Sequence, residues 1–551
     1  MNLFEKHKET LQNAIKAIHE RTFFAAFPEH PKAYGEDAPG QGEAQFQQTR
    51  NNHFGGLNDK DATGWIGEET SPYTQEKLGV KYPEIDVATL VRNAGKAGKN
   101  WRKASPAERA GLLMDSLDKM KDRFFEIGHA TQHTTGQSFI MSFQASGPHA
   151  ADRALEAIAL GYHELTRFPE NAEWEKPMGK FNVKLKKSWK PVPRGTGLVI
   201  GCSTFPVWNS IPGIYASLVT GNPVIVKPHP GAVYPIAIVV ACIQQALTDN
   251  GLDPDICQLA VDTHGNPVTK KLAEHNNVKL IDYTGGPSFG DYIEKLPGKI
   301  TFTEKAGVNS VILDSVNSLD PVFQNLSFAI SLYSGQMCTA PQNIFIPEGG
   351  IKTAEGNLTY EEVVQKLAAN IKGLVTHPKM GAGTLGAIQN PATRERVAHA
   401  KNLGGHVVLE PEDVQNPEFA NALISAPVVV EVDATNKDIF SEERFGPIVL
   451  VVKTKDTGHS VELARDLAME KGAITCGAYT TDAGTREMIA EEMEQAFTPV
   501  SFNMVGPIWM NQNAAFSDFH VTGGNPAGNA SFTNPEYVNK RFVWVGHREV
   551  I

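Results

Sequence analysis

The stretch GNPVIVKPHPGAVYPIAIVVACIQQALTD (Gly221–Asp249) holds a short run of β-branched residues followed by a longer apolar run. The first run, VIVK, is typical of a buried strand, and PIAIVVACIQQALTD has the length and composition of a buried helix. Runs of the same strand-like kind flank this unit: GLVIGC, CQLAV and VKLIDYTGG. Strands that alternate with helices predict a parallel sheet covered on both faces, and therefore an α/β fold.

A second series of such runs follows Cys338, beginning with QNIFIP (Gln342–Pro347) and continuing through PVVVEV and PIVLVVK. The chain therefore predicts two α/β units, with Cys338 near their junction. Ligands in open α/β sheets bind at the carboxyl ends of the strands, and clefts between domains are common sites. We expect a functional site close to Cys338.

Other segments of the chain have different patterns. Residues 1–25 have helical spacing, whereas residues 29–82 are rich in Gly, Pro, Gln and Asn and predict an irregular arm over the surface. In GKFNVKLKKSWKPVPRGTG (Gly179–Gly197), apolar residues alternate with lysines. This alternation predicts a strand with one solvated face, as in a hairpin.

Composition narrows the class of protein. A chain of 551 residues predicts two or three domains, and 41% hydrophobic with 21% charged residues is ordinary for a soluble globular protein. The net charge of −11 argues against nonspecific binding to nucleic acid or to anionic membranes. The longest apolar run, within Pro235–Ile243, is too short for a membrane span, and the charged N-terminus is unlike a secretory signal.

The five cysteines are scattered, odd in number and without a CxxC pair. They predict neither a disulfide framework nor a zinc site, and they favour a reducing, cytoplasmic setting. The 17 histidines form no cluster with metal-ligand spacing, so no metal is expected.

Cys338 lies among small and polar residues in LYSGQMCTAPQN (Leu332–Asn343). A thiol in such surroundings is either an inert side chain or a nucleophile held on a loop. Glu304, in TFTEKAGVNS, precedes Cys338 by 34 residues and is expected just after a short strand. In such a pair, the cysteine is suited to attack a carbonyl, and the carboxylate is suited to activate water afterwards.

Several motifs, in this order along the chain, resemble those of the aldehyde dehydrogenase superfamily. VIVKP resembles the strand that ends in the family's cofactor-binding lysine, and YTGGPSFG resembles its F-T-G-S-x-x-x-G turn. GQMC matches G-Q-x-C, and the interval from Glu304 to Cys338 matches that between the family's glutamate and its nucleophile. ERFGP matches E-x-F-G-P. The resemblance covers most of the chain.

The resemblance implies a Rossmann-like cofactor domain, an α/β catalytic domain and a β-hairpin oligomerisation element. It places the NAD(P)-binding domain with the N-terminal arm at 1–168 and 196–305. The oligomerisation element would take 169–195 and 516–551, and the catalytic domain 306–515. Because an exposed strand edge is readily paired by another subunit, we expect a homodimer or a homotetramer.

The resemblance also implies a reaction. Cys338 attacks an aldehyde to form a thiohemiacetal, hydride passes to nicotinamide, and Glu304 activates water to hydrolyse the resulting thioester. Relatives that pass the acyl group to coenzyme A commonly lack this glutamate, so its presence favours a carboxylic acid product. The matched motifs assign these residues to the cofactor: Lys227, Gly285, Gly286, Gly290, Glu443 and Phe445.

One departure from the family concerns the oxyanion. The family's catalytic asparagine in W-N-F-P, 23 residues before the lysine, corresponds to Thr204, in STFP. A threonine hydroxyl can donate one hydrogen bond to an oxyanion. Asn209, in VWNS, is an alternative donor, but it is expected on a different face of any helix that begins there. The backbone N–H of Cys338 acting without a side-chain donor is a further alternative.

A second departure concerns the cofactor. Members that prefer NAD usually carry a glutamate three residues after the lysine, and this position is Pro230. Without a carboxylate to repel a 2′-phosphate, and with Lys227 and His229 available to attract one, the sequence predicts NADP in preference to NAD.

The STFPVW and VKPHP motifs and the long N-terminal arm resemble the phenylacetate-degradation group PaaN, which is related to the aldehyde dehydrogenase half of the bifunctional PaaZ proteins. This likeness implies a coenzyme A-linked semialdehyde as substrate, without the ring-cleaving hydratase domain. Basic residues of the predicted strand either meet the coenzyme A phosphates or form a solvated face: Lys184, Lys186, Lys187, Lys190 and Arg194.

Two other functions are consistent with the same residues. A cysteine-dependent thioesterase or esterase would use Cys338 and Glu304 without redox chemistry. A non-catalytic dehydrogenase-like binding protein is the other, because Thr204 stands where the family has an asparagine.

Overall fold

The computed structural model describes residues 2–305, 307–506, 521–532 and 534–551. The chain begins with a mainly helical region and continues into a long β-hairpin. These elements are α1 (Leu3–Glu20), α2 (Ala38–Thr49), β1 (Gly64–Ile66), β2 (Tyr82–Glu84), α3 (Val87–Trp101), α4 (Pro106–Lys121), α5 (Phe124–Thr135), α6 (Phe139–Ser146), α7 (Pro148–Thr166), β3 (Asn171–Met178) and β4 (Phe181–Pro193).

The segment 29–82 is more ordered than its composition predicts. It contains α2 and the paired strands β1 and β2, and several of its aromatic side chains are buried. At Gly42 of α2, a Cβ atom would lie 2.3 Å from a side-chain atom of α5, so only glycine allows this approach. The buried Glu69 accepts hydrogen bonds from the backbone N–H groups of Val233 and Tyr234. The prediction of an irregular arm is wrong for Ala38–Thr49, which forms a helix, whereas most of 50–81 is irregular as predicted. Contacts of single residues, which periodicity does not reveal, hold this segment in place.

The next part of the chain forms a five-stranded sheet with helices between the strands. Its elements are β5 (Thr196–Ile200), α8 (Pro206–Val219), β6 (Val224–Lys227), α9 (Tyr234–Asp249), β7 (Cys257–Leu259), α10 (Thr269–Glu274), β8 (Val278–Gly285), α11 (Pro287–Glu294) and β9 (Ile300–Lys305). The strand order is β7-β6-β5-β8-β9, and all neighbours are parallel. Strands covered on both faces need apolar residues throughout, which explains the continuous runs such as VIVK. The predicted α/β fold is confirmed.

A second, seven-stranded sheet follows. Its elements and the C-terminal ones are β10 (Ser310–Leu313), α12 (Leu319–Ser331), β11 (Asn343–Pro347), β12 (Ile351–Thr353), β13 (Gly356–Leu358), α13 (Tyr360–Val375), α14 (Gly381–Thr384), α15 (Pro391–Ala400), β14 (His406–Leu409), β15 (Val428–Asp433), α16 (Lys437–Phe440), β16 (Ile448–Thr454), α17 (Thr457–Lys471), β17 (Cys476–Tyr479), α18 (Ala483–Gln495), β18 (Val500–Phe502), α19 (Glu536–Asn539) and β19 (Phe542–Val550). The strand order is β14-β15-β16-β11-β10-β17-β18, and only β14 runs antiparallel to its neighbour.

A third sheet joins the hairpin to the C-terminus. Strand β19 pairs antiparallel with β4, and β4 pairs antiparallel with β3. Just before β19, the fully buried guanidinium of Arg541 lies 2.6 and 2.8 Å from the two carboxylate oxygens of Asp282 on β8. This ion pair fixes the C-terminal segment against the first sheet. The predicted domain boundary at 515/516 lies outside the described residues.

All five cysteines lie within the described residues, and each is a free thiol, as their scatter predicts. No described helix combines the length and the apolar character that crossing a membrane requires.

Candidate active site

A cavity of about 350 Å³ lies beside Cys338. The carboxyl ends of β5, β8 and β9 contribute one side, and loops of the second α/β unit contribute the other. Its lining residues are Cys202, Ser203, Thr204, Phe205, Asn209, Thr284, Gly285, Gly286, Pro287, Glu304, Lys305, Cys338, Asn390, Arg396, Glu443 and Phe445. The structure thus brings together the predicted nucleophile, base and oxyanion donor with four of the seven predicted cofactor residues.

The loop before Cys338 has an unusual backbone. Tyr333, Ser334 and Gly335 all have left-handed conformations, with φ of 53°, 51° and 62°. A Cβ atom on Gly335 would lie 2.5 Å from the carbonyl oxygen of Gly446, so this position requires glycine for space as well as for φ. The two non-glycine residues are strained and must be held by their surroundings. The hydroxyl of Tyr333 donates to the carbonyl of Thr135 at 2.7 Å, which supplies one such restraint.

The backbone of Cys338 is held by Asn309, a residue that sequence reasoning missed. Asn309 Nδ2 donates to the carbonyl of Cys338 at 2.7 Å, and its Oδ1 accepts from the backbone N–H of Ile474 at 3.0 Å. One amide side chain therefore connects the Cys338 loop to the segment before β17. The only signal for it was its place five residues after Glu304 in TFTEKAGVNS.

Glu304 is the second-to-last residue of β9 and not, as expected, a residue after the strand. The strand is longer than predicted because the C-terminal segment pairs with its free edge: Lys305 donates its backbone N–H to Ala527 at 2.6 Å. The side chain of Glu304 is buried, and its Oε1 accepts a hydrogen bond from Nδ2 of Asn209 at 3.0 Å. This bond orients the carboxylate within the cavity.

The thiol of Cys338 lies in surroundings that disfavour its charged form. Burial raises the pKa of Cys338 well above its usual range, and the Glu304 carboxylate raises it further. The side chain is therefore a neutral thiol at pH 7 and needs a base in order to become a nucleophile. Glu304 lines the same cavity and is a carboxylate that can accept this proton.

Thr204 and Asn209 both line the cavity, which corrects the expectation that Asn209 faces elsewhere. Thr204 lies before α8, which begins at Pro206, so helical periodicity does not determine where its side chain lies relative to that of Asn209. Asn209 already donates to Glu304, whereas the hydroxyl of Thr204 contacts only Sγ of Cys202, at 3.9 Å, among the described residues. Cys202 also lines the cavity.

The predicted glycine turn is present between β8 and α11. Gly285 ends the strand and Gly286 precedes the helix, and both line the cavity. A Cβ atom on Gly285 would lie 2.5 Å from the hydroxyl oxygen of Tyr283. Gly290 has a different position: it lies within α11 against the side chain of Lys305, outside the cavity lining. It allows the helix to pack closely on β9, the strand that carries Glu304.

Glu443 and Phe445 close the opposite side of the cavity, together with Arg396, which sequence reasoning missed. Arg396 Nε donates to the carbonyl of Phe445 at 3.0 Å. Burial raises the pKa of Glu443 to about 8, and the charge of Arg396 opposes this increase. Arg396 lies on α15, a short and largely polar helix whose sequence gave no sign of a site.

Lys227 and His229 lie outside this cavity. Lys227 Nζ is buried, 2.7 Å from Oδ1 of Asp262, so the region does contain a carboxylate. Burial lowers the pKa of His229 to about 4, and neighbouring His264 and Lys227 lower it further. At pH 7 neither predicted cation offers an unbalanced positive charge.

Comparison with known proteins agrees with this geometry. A match to the aldehyde dehydrogenase family spans residues 63–538. The chain belongs to the aldehyde dehydrogenase family.

Two similar proteins indicate the range of its relatives. The crystal structure of an NAD-dependent aldehyde dehydrogenase from Burkholderia multivorans is 40% identical, covers 100% of this chain and 99% of its own, and has a TM-score of 0.97. The alpha-ketoglutaric semialdehyde dehydrogenase of Bacillus subtilis (strain 168) is 23% identical over 429 residues, 76% of this chain and 82% of that protein.

Proposed function

We propose that the chain oxidises an aldehyde to a carboxylic acid with NAD or NADP as hydride acceptor. The observation that carries this proposal is the single cavity that holds Cys338, Glu304, the Gly285–Gly286 turn and Glu443. A nucleophile, a base and the start of a helix suited to phosphate meet there.

The cavity fits a nicotinamide cofactor. Side chains at Gly285 and Gly286 would narrow the entrance to α11, whereas glycines leave the backbone N–H groups accessible. Glu443 lies across the cavity. Because its pKa is raised to about 8, it can be protonated and donate a hydrogen bond to a sugar hydroxyl, or be ionised and accept one from it. When bound, the nicotinamide would supply the acceptor for one hydride, which is a hydrogen with its electron pair.

The first half of the reaction depends on Cys338. Its thiol proton passes to Glu304 while Sγ forms a bond to the aldehyde carbon, leaving an oxyanion. Thr204 and the backbone N–H of Cys338 are the proposed donors to this oxyanion. As its C=O bond re-forms, the former aldehyde hydrogen leaves with its electron pair, and an acyl thioester remains on Cys338.

The second half depends on Glu304, held by Asn209. The carboxylate, after losing the first proton to solvent, takes a proton from water as the water oxygen bonds to the thioester carbon. The C–S bond then breaks, and the carboxylic acid leaves. The sum is one aldehyde, one oxidised cofactor and one water converted to one carboxylate, one reduced cofactor and two protons.

The proposal is tested by following absorbance at 340 nm with propanal, benzaldehyde, phenylacetaldehyde and succinic semialdehyde, with NAD and with NADP. Reduced cofactor in amounts equal to the acid formed is the expected result. Hydrolysis of p-nitrophenyl acetate without any reduced cofactor would instead show a thioesterase or esterase. Cofactor binding without either activity would show a non-catalytic binding protein.

We propose that the preferred substrates are semialdehydes, in particular the coenzyme A-linked semialdehyde of the phenylacetate-degradation likeness. The name of the Bacillus subtilis relative supports the broader class. None of the basic residues suggested for coenzyme A lines the cavity; Lys184 lies near Glu175, and Lys187 packs over Trp174. Comparing kcat/KM for a free semialdehyde with that for its coenzyme A thioester tests the finer proposal.

The choice between NAD and NADP follows from the charges around Lys227. The carboxylate of Asp262 neutralises Lys227, and His229 is uncharged at pH 7, so neither residue offers a net positive charge to a 2′-phosphate. We therefore propose that NAD binds at least as tightly as NADP. Calorimetric titration is expected to show this in the wild-type chain. Asp262→Asn should tighten NADP binding about tenfold relative to NAD, because it frees Lys227 for a 2′-phosphate.

The control for this titration is Asp249→Asn, which removes a surface carboxylate and should leave the ratio unchanged. A wild-type chain that binds NADP clearly more tightly than NAD would restore the original prediction.

The assignment of the oxyanion donor predicts different effects at Thr204 and Asn209. Thr204→Val should lower kcat/KM about 10²-fold, because one oxyanion donor is lost while the side-chain volume is kept. Asn209→Ala should mainly slow thioester hydrolysis, because it releases Glu304. Rapid-mixing kinetics separate the two steps. A slowed hydride-transfer step in Asn209→Ala, with none in Thr204→Val, would assign the donor to Asn209.

We propose that the three-stranded sheet pairs copies of the chain into a homodimer or a homotetramer. Its residues Trp174, Met178, Phe181 and Val550 are large, apolar and exposed, and β3 forms a free edge among the described residues. Light scattering of the purified protein tests this proposal.

A further inference from the structure

Arg153, on α7, is a buried arginine that the reaction described above does not use. Its side chain is 5% exposed, and its Nε has no hydrogen-bond partner among the described residues. The guanidinium carbon lies 3.8 Å from the ring centroid of Trp208, so an aromatic face covers one side of the charge. An arginine is seldom buried without a carboxylate or carbonyl at each nitrogen, because desolvation is costly.

Arg153 shares a small cavity with Glu304, the proposed general base. A cavity of about 20 Å³ is lined by Arg153, Asn209, Thr284 and Glu304. Asn209, Thr284 and Glu304 also line the larger cavity beside Cys338, so the small cavity lies directly behind the base. Its volume suits one water molecule, and the lining offers a guanidinium, an amide and a carboxylate as partners.

Two buried carboxylates interact with the charge of Arg153, first Glu156 and then Glu304. Asp282 lines the same small cavity, but Arg541 already contacts both of its carboxylate oxygens, and the hydroxyl of Tyr537 donates to one of them. Glu156 lies one turn further along α7 and is the other carboxylate that interacts with Arg153.

We propose that Arg153 is a positioning residue for the hydrolytic half of the reaction: its charge, acting across the small cavity, keeps Glu304 ionised and oriented toward the thioester. The inference rests on the proposed function. A positive charge behind the carboxylate stabilises its anionic form, and it also stabilises the thiolate of Cys338 on the far side. Burial, which disfavours both anions, is thereby opposed at the two groups that must be charged during turnover.

The test removes the charge and then restores it. Arg153→Met and Arg153→Gln remove the charge, Arg153→Lys keeps it, and Arg167→Met removes an exposed charge from the end of the same helix as a control. Steady-state kcat and the size of the reduced-cofactor burst are measured from pH 5 to pH 9 with the best aldehyde of the panel. Circular dichroism identifies the variants that fold.

If the proposal is right, both uncharged variants keep the burst but lose about tenfold or more in kcat. Glu304 then needs a higher pH to ionise, so the acidic limb of the kcat profile moves up by about one pH unit. Arg153→Lys restores most of the rate and the position of the limb, and Arg167→Met changes neither. An unshifted limb in the folded uncharged variants, or the same loss in Arg153→Lys, would overturn the proposal.

A second measurement does not depend on aldehyde turnover. The rate of iodoacetamide alkylation of Cys338, followed by peptide mass, should decrease in the uncharged variants, because the thiolate is less stable without Arg153. Unchanged alkylation together with an unshifted limb rejects the role of Arg153. Slower alkylation in a chain whose wild type reduces no cofactor would instead reject the proposed function while supporting the electrostatic role.

Discussion

Replacing Cys338 by alanine is expected to lower kcat/KM for aldehyde oxidation by about 10⁴-fold or more, with little change in folding. In the proposed reaction this thiol forms the bond to the substrate, and no other residue that lines the cavity belongs to a motif that resembles the family's nucleophile. Stability should be almost unaffected, because the loop is held by hydrogen bonds from Asn309 and Tyr333 that do not involve the thiol. Absorbance at 340 nm and thermal unfolding give the two readings.

The matched control is Cys257→Ala, which removes a thiol from the core strand β7, away from the cavity. It should cost some stability and leave kcat/KM within a factor of about three, as for a modest core truncation. A Cys338→Ala protein that still reduces cofactor at more than one-hundredth of the wild-type rate would disprove the assignment of the nucleophile.

Glu304→Gln is expected to separate the two halves of the reaction. The amide keeps the side-chain volume but cannot accept a proton from water, so steady-state turnover should fall about 10²- to 10⁴-fold. The single-turnover burst of reduced cofactor should persist at high pH, where hydroxide in solution can deprotonate Cys338. Stopped-flow absorbance, which resolves the burst from the steady state, checks this result.

Glu442→Gln is a suitable control, because it neutralises an exposed carboxylate that pairs with Lys471. Its burst and steady-state rate should both equal those of the wild type. If Glu304→Gln lost the burst and the steady state to the same extent at every pH, Glu304 would be needed for the first half alone, and another group would activate the water.

The parts of the site that could be predicted are those encoded by contiguous residues. GQMC, ERFGP and the glycine turn are local motifs, and the interval from Glu304 to Cys338 spans strand β10 and helix α12. The alternation of apolar runs with helical stretches likewise predicted the α/β fold, because burial on both faces of a parallel sheet leaves a strong compositional signal.

The parts that were missed depend on contacts between distant segments. Asn309 joins the Cys338 loop to Ile474, and Arg153 reaches Glu304 from a helix that precedes the first sheet. Nothing local distinguishes these residues from others of their kind. The neutralisation of Lys227 was not predicted for the same reason: Lys227 ends β6, whereas its partner Asp262 follows the neighbouring strand β7.

In the proposed reaction, Cys338 carries an acyl group that Glu304 releases by activating water. The most direct measurement is peptide mass spectrometry of Glu304→Gln after incubation with cofactor and the aldehyde that the wild type oxidises fastest. We expect an acyl adduct on the peptide that contains Cys338, dependent on oxidised cofactor and removed by hydroxylamine. An adduct on another residue, or cofactor reduction with no adduct at any time, would contradict it.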